Sequence, residues 1–302
     1  MTTPTELDVA LPHGITLNCR VAGPEGAPVL MFLHGFPEAA FIWDDLLRHF
    51  GDRYRCVAPN LRGYGPSSAP EGVEAYRAKH LVADVQALVQ AFGGRLAALV
   101  AHDWGGAVAW SFAIAHPQLL ERLVIVNSPH AGTFLRELLA NPAQQAASAY
   151  MLDLCAPDAE ATLSANGYAA MFQKFDRMGA SDATQPGGGW LTEPVKAQLR
   201  AIWDAGLTGA LNYYRASPLR PPTGPDAPVH KVAFPPEAVT VRVPVHVVWG
   251  ERDQALLPAL LDGLETWVPQ LTVSRIPEGT HWVIHEQPQR IAQEIERALS
   301  GA

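Results

Sequence analysis

Three residues far apart in the chain have the types needed to form and cleave a covalent ester: Asp103, Asp253 and His281. Asp103 stands in VAHDWGGAVAW (residues 100–110), where an apolar run that reads as a strand meets an apolar run that reads as a helix. A strand-to-helix turn flanked by small residues exposes a nucleophile, in the pattern G-x-S-x-G. Here the turn is Ala101-His102-Asp103-Trp104-Gly105, with Gly106 behind it. The two glycines let helix and strand approach closely, and the helix dipole favours negative charge at this end. An aspartate before a helix is ordinarily an N-cap. The glycines, the HGFP segment at 34–37 and a downstream Asp/His pair in order favour the nucleophile instead.

Aspartate in place of serine changes the chemistry. A carboxylate is a poor attacker of acyl carbon, but it displaces a leaving group from an sp³ carbon and leaves an alkyl ester on the protein. Hydrolysis of that ester needs a histidine to activate water and an acid to orient the histidine. It also needs N–H donors for the oxyanion. Asp253 (in WGERDQALLP) is the candidate acid, with Glu251 as the alternative, and His281 (in EGTHWVIHEQP) is the base, with His285 as its competitor. The backbone N–H groups of Phe36 and Trp104 are the expected oxyanion donors. His34, Pro37, Trp104 and Trp282 are expected to touch substrate, although a histidine before a glycine often serves only to bond loop carbonyls. His281 and His285 are four apart, but the glutamate of H-E-x-x-H is missing, so no metal is expected. No cofactor is required, because nucleophile, base and donors all come from the protein, and the turn lacks the G-x-G-x-x-G of a dinucleotide site.

The elements that must position these residues alternate along the chain. VLMFLHG (29–35), YRCVAPN (54–60), LAALVAH (96–102), RLVIVN (122–127), VPVHVVWG (243–250) and LTVSRIP (271–277) read as strands. FIWDDLLRHF, 75–92, 104–117 and 288–299 read as helices. Such βαβα order implies a mostly parallel sheet with helices on both faces. Ligands then bind beyond the carboxyl ends of the strands. HGFP, Asp103, Asp253 and His281 all follow strand ends, so they converge on one edge. From about residue 129 to 234 the pattern is helical without a convincing strand, broken by PGGG at 186–189 and SPLRPPTGPDAP at 217–228. The expected organisation is a core of residues 1–129 and 235–302 with a helical lid of residues 130–234.

Composition narrows the classes. Of the 302 residues, 48% are hydrophobic and 17% charged, which supports a large core and argues against disorder. The net charge of −8 and the lack of a basic cluster argue against nucleic acid as a partner. No run of about 18 apolar residues and no basic-then-apolar leader is present, so neither a membrane span nor a signal peptide is expected. Cys19, Cys56 and Cys155 lack CxxC spacing, which fits a reducing, cytoplasmic setting.

With these residues assembled, the chain resembles the α/β-hydrolases, and among them the epoxide hydrolases. HGFPE (34–38), RGYG (62–65), HDWGG (102–106), WGERD (249–253) and the His281 segment carry the resemblance, which covers nearly the whole chain. It implies an eight-stranded, mostly parallel sheet with a helical lid, and an epoxide opened to a vicinal diol through an aspartyl ester hydrolysed by His-activated water. It also implies two lid tyrosines that hold the epoxide oxygen. Tyr214, in LNYYRA, matches an N-x-Y-R segment, and Tyr150, in SAYMLDLCAP, matches the earlier position. Tyr168 and Tyr213 are assigned to packing. The apolar lid (Met151, Leu152, Leu154, Met171, Phe172, Phe175, Trp203) implies a mostly apolar pocket for a small epoxide or halogenated substrate.

Two other readings stay open. HDWGG is shared with haloalkane dehalogenases, but Phe36 stands where one group of them has a halide-binding asparagine, which leaves Trp190 or Trp203 to supply a second donor. Haloacid substrates are disfavoured because no arginine stands among Trp104–Val108, just after Asp103. The other reading is a hydrolase-fold binding protein without activity. Lid surfaces leave a homodimer open.

Overall fold

The computed structural model describes residues 2–181, 184 and 187–301. Pro186, in the first loop break, lies outside them. Eight strands form one sheet: β1 (Thr5–Ala10), β2 (Thr16–Ala22), β3 (Val29–Leu33), β4 (Arg55–Pro59), β5 (Leu96–His102), β6 (Leu123–Val126), β7 (Val245–Gly250) and β8 (Leu271–Ile276). Their order is β1-β2-β4-β3-β5-β6-β7-β8. β2 pairs antiparallel with β1 and β4, and all later pairings are parallel. This is the α/β-hydrolase architecture expected above.

Register explains why distant residues meet. Leu33 of β3 pairs with Ala101 of β5, His102 with Val126 of β6, and Val126 with Val248 of β7. The carboxyl ends of these four strands therefore finish nearly level. The chain leaves β3 into His34–Pro37, β5 into Asp103 and β6 into Asn127, all on one edge.

The inner strands β3, β6 and β7 are buried along their whole lengths because helices cover both faces. α1 (Asp44–Phe50) lies on one side, whereas α2 (Ala78–Ala91) and α3 (Asp103–Ala115) lie on the other. Alternation along β5 splits the core in two: Leu99 and Ala101 join the α2–α3 side, Ala98 and Val100 the α1 side.

Between β6 and β7 the described residues form no strand of the sheet. They form α4 (Ala131–Ala140), α5 (Pro142–Ala147), α6 (Tyr150–Leu154), α7 (Ala159–Arg177), α8 (Glu193–Asp204), α9 (Thr208–Ala216) and α10 (Pro236–Val239). α7 is interrupted at Ala165–Tyr168, where Asn166, Gly167 and Tyr168 take positive φ. Tyr168 lies in that break and donates its hydroxyl to Asp204 of α8 at 2.6 Å. α11 (Val283–Glu286) and α12 (Pro288–Ser300) close the chain. Ile291, Ala292, Ile295 and Ala298 make the buried stripe of α12 on the α1 side. Among the described residues no helix is long and apolar enough to cross a membrane.

Candidate active site

Asp103 opens α3 with φ of +50°, a left-handed conformation that costs about 1–3 kcal/mol and persists only where its surroundings enforce it. They do so here. A Cβ at Gly105 would stand 2.4 Å from the Leu33 carbonyl oxygen, and one at Gly106 would stand 2.3 Å from Ser128 Cβ. Only glycines let the first turn of α3 lie this close to β3 and to the end of β6. Ser128 Oγ then donates to the Asp103 carbonyl at 2.6 Å. The side chain is left 10% exposed, with its tip in a cavity.

The Phe36 N–H donates to Asp103 Oδ1 at 2.7 Å. Burial pushes the Asp103 pKa above the usual carboxylate range, while His281 and the N–H groups of Phe36 and Trp104 pull it back. Both expected oxyanion donors thus face the carboxylate. On its other side, His281 Nε2 lies 3.7 Å from Oδ2, too long for a direct hydrogen bond. His281 Nδ1 pairs with Asp253 Oδ2 at 2.7 Å. Burial alone would lower the His281 pKa, but the charge and hydrogen bond of Asp253, then the charges of Asp103 and Glu38, outweigh it and raise it to about 9.

Asp253 is itself fixed. Its Oδ1 accepts from the N–H groups of Ala255 and Leu256 at 2.8 and 2.9 Å, and Oδ2 accepts from Asn127 Nδ2 at 2.8 Å. Glu251 pairs instead with Arg275 at 3.0 Å, and His285 with Glu38 at 2.5 Å. Neither alternative reaches the site.

Tyr150 on α6 and Tyr214 on α9 line the same cavity as Asp103. Their rings meet edge to face with centroids 6.3 Å apart, and Tyr214 packs edge-on against Phe36 and Trp104 at 5.3 and 5.1 Å. Burial, with the Asp103 charge nearby, raises both phenols well above their ordinary range, so they stay protonated and able to donate. Tyr213 also borders the cavity, but its hydroxyl is committed, donating to the Arg62 carbonyl at 2.9 Å.

Three of the four expected substrate contacts, His34, Pro37 and Trp282, lie outside the cavity lining, and only Trp104 belongs to it. His34 is fully buried, with its ring nitrogens engaged by the Gly35 carbonyl and the Leu61 N–H, both at 3.0 Å. Desolvation lowers its pKa to about 4, so it is a neutral loop anchor. Pro37 turns its carbonyl to Trp203 Nε1 at 2.7 Å, tying α8 to the core. Trp282 stacks on Phe175 at 4.5 Å. Trp203 is thereby committed, and Trp190 stacks face-on with His285 at 3.8 Å, so neither supplies a donor to the cavity.

Sequence reasoning missed Asn127 and Ser128. Asn127 donates to Asp253 Oδ2 beside His281, and accepts from the Gly250 N–H at 2.8 Å. Both follow β6 at the edge where the other site residues gather, so the strand-end rule that found Asp103 could have found them.

A family described as the alpha/beta hydrolase fold matches residues 28–288. The AB hydrolase superfamily protein YfhM of Bacillus subtilis is 33% identical over 94% of this chain and 94% of its own. Epoxide hydrolase 4 of Mus musculus is 30% identical over 91% of this chain and 74% of its own. A solved structure described as a novel epoxide hydrolase from metagenomes of hot environments superposes with a TM-score of 0.86, at 38% identity over 99% of each chain. The chain belongs to the α/β-hydrolase family and, within it, to the epoxide hydrolases.

Proposed function

We propose that the protein hydrolyses epoxides to vicinal diols in two steps through an ester on Asp103. The observation that carries the reading is one carboxylate at a strand–helix corner, with two protonated phenols across the cavity and a histidine–aspartate pair behind it.

In the first step Asp103 Oδ2 attacks an oxirane carbon and the C–O bond of the ring breaks. The departing oxygen takes a proton from Tyr150 or Tyr214, which burial keeps neutral until that moment. Forming the ester removes the Asp103 charge. His281 then loses one of the charges that raise its pKa, gives up its proton, which restores the spent phenol, and as a neutral imidazole takes a proton from water. That water attacks Asp103 Cγ, and the oxyanion forms on Oδ1, which already accepts from the Phe36 N–H, with the Trp104 N–H also directed at the carboxyl group. Collapse breaks the Cγ–Oδ2 bond, His281 returns its proton to Oδ2, and the diol leaves with that oxygen, while the new Asp103 carboxyl gives its proton to His281 and both regain their starting charges. Asp103 keeps the oxygen from water.

Among the described residues no lysine or arginine lines the cavity, which speaks against a carboxylate-bearing haloacid. We read residues 130–234 as the lid, because Tyr150 and Tyr214 reach the nucleophile from that span. Three free cysteines are the basis for placing the protein in the cytoplasm.

A single turnover in heavy-oxygen water tests the route. The label is expected in the Asp103 peptide and not in the first equivalent of diol. Label in that diol with none in Asp103 would mean that water attacks the epoxide directly.

A further inference from the structure

The cavity in front of Asp103 has a volume of about 310 Å³ and is far longer than an oxirane needs. Asp103, Ala107, Ser111 and Ile114, successive positions along one side of α3, all line it. From Asp103 to Ile114 is eleven residues, or about 16 Å of helix at 1.5 Å each. The far end reaches exposed Ala78 at the start of α2.

Most polar side chains along this arm already have a partner within the protein. Ser111 Oγ donates to the Ala107 carbonyl at 3.0 Å, and Ser217 Oγ accepts from the Leu219 N–H at 3.1 Å. Tyr76 and Trp110 donate to the carbonyls of Pro70 and Ser128 at 3.0 and 3.2 Å. His130 is held by Val239 and Gly132. Apart from the Ser217 O–H, the side chains facing the cavity with capacity to receive a polar substrate group are gathered at the reacting end, on Asp103, Tyr150 and Tyr214.

We infer that the substrate is a neutral epoxide with one long hydrocarbon arm lying along α3, its oxirane oxygen being its only polar group within the cavity. The inference rests on the epoxide reading above and specifies its substrate class. A polar or charged atom in the arm would be desolvated without a partner. Length and volume bound the size differently. An extended chain advances about 1.2 Å per bond, so about 16 Å admits about thirteen bonds. At about 30 Å³ for each carbon-sized group, the volume admits only about ten. Volume is the tighter limit, so the best fit is a terminal epoxide of about ten carbons.

The test is kcat/KM for epoxybutane, epoxyhexane, epoxyoctane, epoxydecane and epoxydodecane, all terminal. Up to about fourfold is expected per buried methylene, levelling off at epoxydecane. An epoxyoctane with a hydroxyl at the far end of its arm should fall at least about tenfold below epoxyoctane. Ser111→Phe, about 12 Å along α3 from Asp103, should collapse the ratio of epoxydecane to epoxybutane toward one. A flat or falling series with epoxybutane still turned over would overturn the arm while leaving the epoxide reading intact. An unchanged ratio in Ser111→Phe would also overturn it. Absence of turnover across the whole series would instead remove the epoxide reading on which the inference stands.

Discussion

The charge of Asp103 should control when His281 acts as a base. In the free protein burial disfavours a charged imidazole, yet Asp253, Asp103 and Glu38 hold His281 at about 9, so it is protonated near neutrality. At 3.7 Å, a unit negative charge on Asp103 contributes about 4 kcal/mol at an effective dielectric constant of about 20. That corresponds to about three pH units. Esterification removes this charge, and Asp103→Asn removes it permanently with nearly the same shape. His281 in Asp103→Asn should therefore titrate about two to three pH units lower than in the wild type. Ring-nitrogen NMR on histidine-labelled protein reads this directly, the His281 signal among the 11 histidines being assigned by its loss in His281→Gln. An unchanged titration, within about half a pH unit, would refute the idea that the intermediate switches on its own base.

Replacing either Tyr150 or Tyr214 by Phe should slow ester formation about a hundredfold, and replacing both should slow it by more than about a thousandfold. Single-turnover fluorescence from Trp104, beside Asp103, would follow the step, and a double variant within tenfold of wild type would remove the phenols from the mechanism. Asn127→Ala leaves the buried Gly250 N–H without its acceptor and puts alanine at φ of +39°, so it should cost about 2–4 kcal/mol in urea unfolding. It should also slow ester hydrolysis, because Asp253 loses one of its hydrogen bonds. An unshifted unfolding midpoint would show that this hydrogen bond carries no weight.

The parts of the fold legible in the sequence are those whose physics is local. β3, β5, β6 and β7 are nearly continuous apolar runs, broken only by His246 in β7 and ended by His102 in β5, because both their faces are covered, and such runs stand out. β1 and β2 were not located individually. β1 is an edge strand with almost every residue exposed, so no apolar run or clean alternation marks it. The break in α7 also went unread, since the positive φ values at Asn166 and Tyr168 leave no periodic trace. At the site, the Asp103 corner was readable because its glycines sit beside it in sequence. His34, Pro37 and Trp282 were misplaced because the direction of a side chain near a strand end depends on partners elsewhere: Leu61, Trp203 and Phe175. Asn127 reaches Asp253 across 126 positions, and no local pattern signals such a bond.

The measurement closest to the central claim is the intact mass of His281→Gln after exposure to a terminal epoxide. With the base removed, ester formation should proceed and its hydrolysis stall. The protein should gain the whole mass of the epoxide, peptide mapping should place the gain on Asp103, and adding Asp103→Ala should abolish it. A protein that gains no mass, or that keeps its adduct after Asp103→Ala, would contradict covalent catalysis by Asp103.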